Sequence, residues 1–405
     1  MSFAVGIVAE YNPFHNGHAH QIREIRAHYP DSPIIAVLSS SFVQRGLPAL
    51  LDKWERAKAA VMCGVDLVIE LPLPFCCHNA GVFASAAVTL FKATGAVSCL
   101  SFGMESPNLE LLNRISSILV QEPLTFKADL QFFLKTGLSY ADARARAAEC
   151  LCPGARELME QPNNALALAY VEASIRQNAR FSFLPVSRRG AGYRDVSEAE
   201  IMSASGIRAA LLRGDVEASC ASMPAASAQL LRNAWHEGRV CTNTLPLWQA
   251  LRLLFMRSPC DDLARFAGMT EGIENRFERI YPECTGFEEL IEKVSTRRYP
   301  MSRVRRTLMS FLLNITSECD MQFQKGGPAY IRPLAMSLRG RELIHEIRTS
   351  ASLPVIYKPA MLKGNSYGQK IFSLGVRASR IWESLLPSPD YNREIRGVPY
   401  IGKQQ

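Results

Sequence analysis

Residues 4–10 (AVGIVAE) form an apolar run that stops at a polar turn containing Pro and Gly, and residues 18–28 then carry apolar side chains at helical spacing. The alternation recurs along the chain. Residues 34–38 (IIAVL), 66–71 (DLVIEL) and 96–102 (AVSCLSF) read as buried strands, with helices predicted over residues 53–63 and 80–92 between them. Continuous apolar strands separated by helices predict a parallel sheet covered on both faces. The chain is therefore read as α/β, with a Rossmann-like parallel-sheet domain over residues 1–210. Residues 108–180 are mostly helical in pattern, and a short strand near residues 181–186 leads into a Gly-rich turn. From about residue 207 the pattern is helical almost throughout, with one further strand expected near residues 353–357, so residues 211–405 are predicted to form a mostly α-helical domain.

Composition narrows the class. With 405 residues, 48% hydrophobic and 21% charged, the chain is long enough for two cores and is not disordered. No apolar run reaches the roughly 18 residues that a membrane span needs. The first residues lack a basic segment ahead of an apolar one, so no signal peptide is expected. The 11 cysteines are scattered without a Cys-x-x-Cys pair, which predicts reduced thiols, a cytoplasmic location and no zinc site. The net charge of +8 is unevenly placed: residues 1–210 hold 19 Lys and Arg against 19 Asp and Glu, whereas residues 211–405 hold 27 against 19. A basic part joined to a neutral part predicts a polyanionic partner beside a separate chemical centre, RNA first among candidates.

The stretch after the first strand reads Glu10, Tyr11, Asn12, Pro13, Phe14, His15, Asn16, Gly17, His18. In an open parallel sheet, ligands sit at the carboxyl ends of strands, where helix N-termini point unpaired N–H groups. Gly17 allows close approach of phosphates, and His15 and His18, three residues apart, can donate hydrogen bonds to phosphate oxygens as charge develops on them. Two capping histidines would be the bland alternative. A second element, Ser203-Ala-Ser205-Gly-Ile-Arg208, opens a predicted helix and resembles the Ser-x-Thr-x-x-Arg signature of nucleotidyltransferases. The spacing from Lys293 to Arg297 resembles the lysine loop of class I aminoacyl-tRNA synthetases, but it lies far into the helical region and is treated as a decoy.

Several blocks together resemble the bacterial tRNA(Met) cytidine acetate ligases. They are Gly6 to His18, Phe42-Val-Gln-Arg-Gly46, Asp52-Lys-Trp54, Asp66 to Pro72, Leu100 to Glu105, Pro162-Asn-Asn164, Arg188 to Tyr193 and Ser203 to Arg208. Later in the chain, Arg297-Arg-Tyr299, Arg303-Val-Arg-Arg306, Tyr330-Ile-Arg332 and Arg377 to Ile381 follow in order. The resemblance implies a nucleotidyltransferase fold and two reactions on one enzyme. ATP and acetate would form acetyl-adenylate, and the acetyl group would pass to the wobble cytidine of elongator tRNA(Met) to give N4-acetylcytidine. His15, His18, Ser205 and Arg208 would be catalytic. ATP, with Mg2+ expected beside it, would meet Ile7, Val8, Ala9, Glu10, Tyr11, Asn12, Pro13, Phe14, His15, Asn16, Gly17, His18, Ala19 and His20. Gly103, Asn163 or Asn164, and Arg188 or Arg189 would complete the nucleotide pocket; no resident metal ligand is assigned. Gln44, Arg45 and Lys53 are candidates for phosphate or cytidine contacts. Two departures from the family pattern, Ser39-Ser40-Ser41 and Arg194, bear on the shape of the acyl or cytidine pocket.

Between residues 293 and 306 lie Lys293, Arg297, Arg298, Arg303, Arg305 and Arg306 with no acidic residue and with Tyr299 among them. Such a cluster is expected to bind RNA phosphates, with the aromatic ring free to stack on a base and with Arg332, Arg377 and Arg380 extending the patch. Two other readings stand beside this one. A small-molecule adenylyltransferase would share the histidine site but has little use for a large basic part, and an inactive RNA-binding protein would not need intact His15, Gly17, His18 and Arg208.

Overall fold

The computed structural model describes residues 3–188 and 202–402. Its strands are β1 (Ala4–Ala9), β2 (Ile34–Ser39), β3 (Phe42–Val43), β4 (Leu47–Pro48), β5 (Leu67–Leu71), β6 (Val97–Met104), β7 (Ser182–Ser187), β8 (Pro333–Met336) and β9 (Tyr400–Ile401). The main sheet runs β7-β6-β1-β2-β5-β8-β9, with the first five strands parallel and β8 antiparallel to β5. Strands β3 and β4 form a separate antiparallel hairpin.

Both faces of β1 are buried, as its unbroken apolar run predicts. Val5, Ile7 and Ala9 pack with Ile22, Ile25 and Ala57 on one side, while Ala4 joins Phe91 and Leu100 on the other. The covering helices are α1 (Asn16–His28), α2 (Lys53–Met62), the short α3 (Leu73–Cys76) and α4 (Ala80–Thr94). Their limits follow local chemistry. The Asp52 carboxylate caps α2 by accepting from the Glu55 N–H, Asn79 caps α4, and Gly95 ends α4 at φ +67.

The chain turns back across β1 between β5 and β6, so the carboxyl ends of β1 and β6 flank the switch in strand order where an open α/β sheet binds ligands. The sheet also draws on the second part of the chain, since β8 and β9 lie beyond residue 210. From residue 204 to residue 326 the chain is mostly helical, and Trp248, Phe255, Phe277, Phe287 and Phe311 extend the same hydrophobic core that covers the sheet. Residues 353–357 contribute one isolated bridge, Val355 to Ile331, instead of a strand. The hairpin and β8 and β9 escape the sequence reading because each is only two to four residues long and has no period of its own.

Candidate active site

The loop from β1 to α1 is held from several sides. Tyr11 lies in the left-handed region at φ +43, which side chains rarely occupy without surrounding support. That support is visible: the Asn12 side chain accepts from the Leu50 N–H at 2.7 Å, the Ser227 hydroxyl donates to the Phe14 carbonyl at 2.9 Å, and the Asn16 N–H donates to Ser222 at 2.9 Å. Tyr11 and Phe14 are buried and pack against the His18 ring at 4.9 and 5.4 Å between centroids. The side chains of Ile7, Ala9, Tyr11 and Phe14 therefore belong to the core, leaving their backbones as what they can offer a ligand.

His15 and His18 are stacked at 3.9 Å between ring centroids. They cap α1 reciprocally, because the Gly17 N–H donates to His15 Nδ1 at 3.0 Å and the His15 N–H donates to His18 Nδ1 at 3.2 Å. A backbone N–H can donate only to an unprotonated ring nitrogen, so both neutral imidazoles carry their proton on Nε2. Capping and ligand binding are thus compatible: Nδ1 serves the helix and Nε2–H remains a donor. Burial, reinforced by Arg188 and Arg208, lowers His15 to about 4, and burial with His15 and Arg188 nearby holds His18 well below the ordinary histidine value. Gly17 is required here, since a Cβ on it would stand 2.8 Å from His15 Cε1.

Arginines face the imidazoles from two directions. The Arg188 guanidinium donates to the side-chain amide oxygen of Asn163, and the Asn163 amide nitrogen in turn donates to the Glu105 carboxylate. Gly103 lies within β6 instead of ending it, and a Cβ there would meet Arg188 Cγ at 3.2 Å, so this glycine makes room for the arginine stem. Asn164 is fully buried; its side chain accepts from the Glu105 N–H and donates to Gln161, while both Asn163 and Asn164 N–H groups donate to the Glu105 carboxylate. Of the two asparagines, only Asn163 touches Arg188. Arg189 and Arg194 lie outside the described residues. On the other side, Ser203 caps helix Ala204–Leu212, and Arg208 donates to the Asn12 carbonyl at 2.9 Å and to the Ser205 hydroxyl at 3.2 Å.

The third wall is the β3–β4 hairpin. The Gln44 N–H donates to Glu10 Oε1 at 2.8 Å, and a Cβ on Gly46 at φ +76 would meet the Arg306 nitrogen at 2.5 Å. Only glycine lets the hairpin tip rest on the backbone of helix Met301–Leu312. Burial lowers the proton affinity of Arg208; Glu10 opposes this, and the nearby Arg45 and Arg305 act in the same direction as burial. Behind them Arg56, buried, donates to the carbonyls of Leu51 at 2.9 Å, Glu10 at 2.7 Å and Ser40, tying together the ends of β1 and β2.

Several sequence expectations are corrected. Lys53 does not face the site: it is buried and paired with Glu70 at 2.5 Å and Glu394 at 2.7 Å. Arg332 does not extend a surface patch, because it is buried against the same two carboxylates and over the Trp54 and Phe372 rings. Tyr299 is not free to stack on a base; it is 8% exposed, its hydroxyl donates to the Glu271 carbonyl, and Arg303 lies over its ring at 5.2 Å. Within the basic cluster, Lys293 pairs with Glu289, Arg298 and Arg303 with Glu271, and Arg305 with Glu288; Lys293, Arg297 and Arg298 are exposed. The buried Lys53, Glu70, Arg332 and Glu394 cluster was legible in one respect, since Glu70 interrupts an otherwise apolar strand and a buried carboxylate needs a cation.

Among the described residues no three His, Cys, Asp or Glu side chains converge as a metal site, and no helix is long and apolar enough to cross a membrane. The sequence profile of the HIGH nucleotidyl transferase family matches residues 2–396. The tRNA(Met) cytidine acetate ligase of Thermoanaerobacter sp. is 32% identical over 400 residues, covering 98% of each chain. That of Caldanaerobacter subterraneus subsp. tengcongensis is 33% identical over 94% of each. The crystal structure of Thermotoga maritima TmcAL bound with alpha-thio ATP is 28% identical, covers 99% of this chain and 100% of its own, and superposes with a TM-score of 0.92. With the family profile spanning residues 2–396 and relatives above 30% identity over nearly the whole length, the chain belongs to the tRNA(Met) cytidine acetate ligase family of HIGH nucleotidyl transferases.

Proposed function

We propose that the chain condenses acetate with ATP to acetyl-adenylate and pyrophosphate, then passes the acetyl group to the exocyclic amine of the wobble cytidine of elongator tRNA(Met), releasing AMP. The observation that carries this reading is the stacked histidine pair with both Nε2–H groups left as donors at the mouth of the sheet. Acetate is inert toward an amine until one of its oxygens is esterified to a good leaving group. As that oxygen attacks the α-phosphorus, charge moves onto the pyrophosphate. The neutral imidazoles donate to phosphate oxygens from a rigid cap, while Arg188, positioned by Asn163, and Arg208, positioned by Asn12 and Ser205, supply positive charge. Support for the nucleotide comes from the alpha-thio ATP bound in the Thermotoga maritima structure.

Mg2+ belongs to the reading as an ion carried by the triphosphate, since this ion commonly binds through phosphate oxygens and water with few protein ligands; no step is assigned to it. A cytoplasmic location fits the 11 cysteines, all free. The tRNA would approach across the helix Met301–Leu312, whose arginines lie beside the hairpin that walls the site.

Incubating the protein with labelled acetate, ATP and total bacterial tRNA should place label in N4-acetylcytidine on nucleoside analysis; label confined to another nucleoside, or none, overturns the proposal. The RNA surface has its own test. Replacing the exposed Arg297 and Arg298 together by Glu should weaken tRNA retention on a filter at least about tenfold and flatten its salt dependence, because phosphate contacts release counterions. Unchanged retention would remove these residues from the interface.

A further inference from the structure

Glu10 sits awkwardly in a phosphate site. It is half-buried at the carboxyl end of β1, immediately before the left-handed Tyr11, where a carboxylate repels a triphosphate. Its Oε1 accepts from the Gln44 N–H, and among the described residues its other oxygen accepts no hydrogen bond. Arg45, Arg56 and Arg208 all surround it, yet none of them forms an ion pair with it among the described residues; Arg56 is committed to three backbone carbonyls. Burial raises the Glu10 carboxyl above its ordinary value despite these cations, which makes it a better proton acceptor than a solvated glutamate.

A carboxylate oxygen left available beside the acylating centre matches one group of the proposed substrates, the exocyclic amine of cytidine, whose N–H is a donor that Glu or Asp accepts. We infer that Glu10 holds the N4 amino group of the incoming cytidine and takes its proton during acyl transfer, an inference that rests on the proposed function. In that step the N4 lone pair forms a C–N bond to the acetyl carbonyl carbon, the C–O bond to the phosphate of AMP breaks with its electrons leaving on AMP, and the N4 proton passes to the Glu10 carboxylate. The hairpin then has a role in the chemistry: Gln44 orients the carboxylate, and the Gly46 contact places arginines 305 and 306 of the RNA-facing helix at the edge of the same opening.

Glu10→Gln tests this, because the amide oxygen can still accept from Gln44 while it can no longer take a proton. Two rates are measured on the full chain: acetate-dependent pyrophosphate exchange without tRNA, and acetylation of tRNA(Met). The ratio of acetylation to exchange should fall by about 100-fold in Glu10→Gln, the lower range for loss of a general base, and Glu10→Asp should recover part of it. A ratio within a few-fold of the original overturns the inference, whether both rates fall together or neither does. Wild-type protein active in both assays with an unaltered ratio in the variant refutes Glu10 alone, whereas wild-type protein inactive in both removes the underlying function as well.

Discussion

Replacing His18 by Ala should slow acetate-dependent pyrophosphate exchange by a factor of about 100 to 1000, the usual cost of removing one preorganised donor from a developing oxyanion. The structure gives this variant two losses: the Nε2–H donor disappears, and so does the acceptor for the His15 N–H at the start of α1. His18→Asn separates them, because a short amide at this position can accept from the His15 N–H without supplying the ring donor. Both variants should be slow, and Asn should melt closer to the original temperature than Ala. A rate within tenfold of the original in either would eliminate the imidazole from the chemistry.

The same geometry has a pH consequence. Burial holds His15 at about 4 and His18 well below 6.5, the value of an ordinary histidine. Both rings are thus neutral donors across the neutral range, and exchange should show no inflection near 6.5 attributable to them. The sign for stability follows from linkage: the unfolded chain binds these protons more readily, so their contribution is fully present above 6.5 and declines as pH falls from there toward 4.

The largest stability effect is expected from the buried quartet. Arg332→Met should cost about 3–5 kcal/mol, the range for removing one partner from a buried ion pair and stranding its carboxylates. Glu70 and Glu394 are both buried and share Lys53 and Arg332, so the loss of one cation leaves one carboxylate in excess. Burial pushes the Glu70 carboxyl up, but Lys53, Arg332 and the Ser40 hydroxyl outweigh it and hold it below the ordinary 4.5. Its stabilisation is therefore present above 4.5 and lost as pH falls below it. In Arg332→Met the lower edge of that acid-sensitive window should rise toward 4.5, because one of the two cations holding Glu70 ionised is gone. Equilibrium urea unfolding between about pH 2 and pH 7 measures both effects; a cost under about 1 kcal/mol would mean the quartet is solvated or replaceable.

Much of the catalytic half was legible because its signals are local. Strand β1 needs two apolar faces, and α1 needs a cap, a glycine that clears His15, and donors at its N-terminus; all of these lie within residues 4–28. Arg208 could be singled out because Ser203 opens its helix at a recognisable distance. By contrast, nothing adjacent to Lys53, Arg332 or Tyr299 distinguishes a cation bound for solvent from one bound for the interior, or an aromatic ring offered to RNA from one sealed by Glu271 and Arg303. Arg56 was missed for the same reason, its three carbonyl partners being spread over residues 10–51.

Composition and periodicity by themselves determined the parallel α/β core, the helical second part with its surplus of positive charge, and the histidine loop at the first strand-to-helix crossover. These depend on burial of alternating or continuous apolar faces and on hydrogen bonds within a few residues. The tertiary structure alone decided that β8 and β9 return to widen the sheet, that Lys53 and Arg332 neutralise Glu70 and Glu394 inside it, and that Gly46 seats the hairpin on Arg305 and Arg306. Each of those outcomes joins groups far apart in the chain, so the free energy that selects them comes from desolvation and packing between segments, which local spacing does not encode.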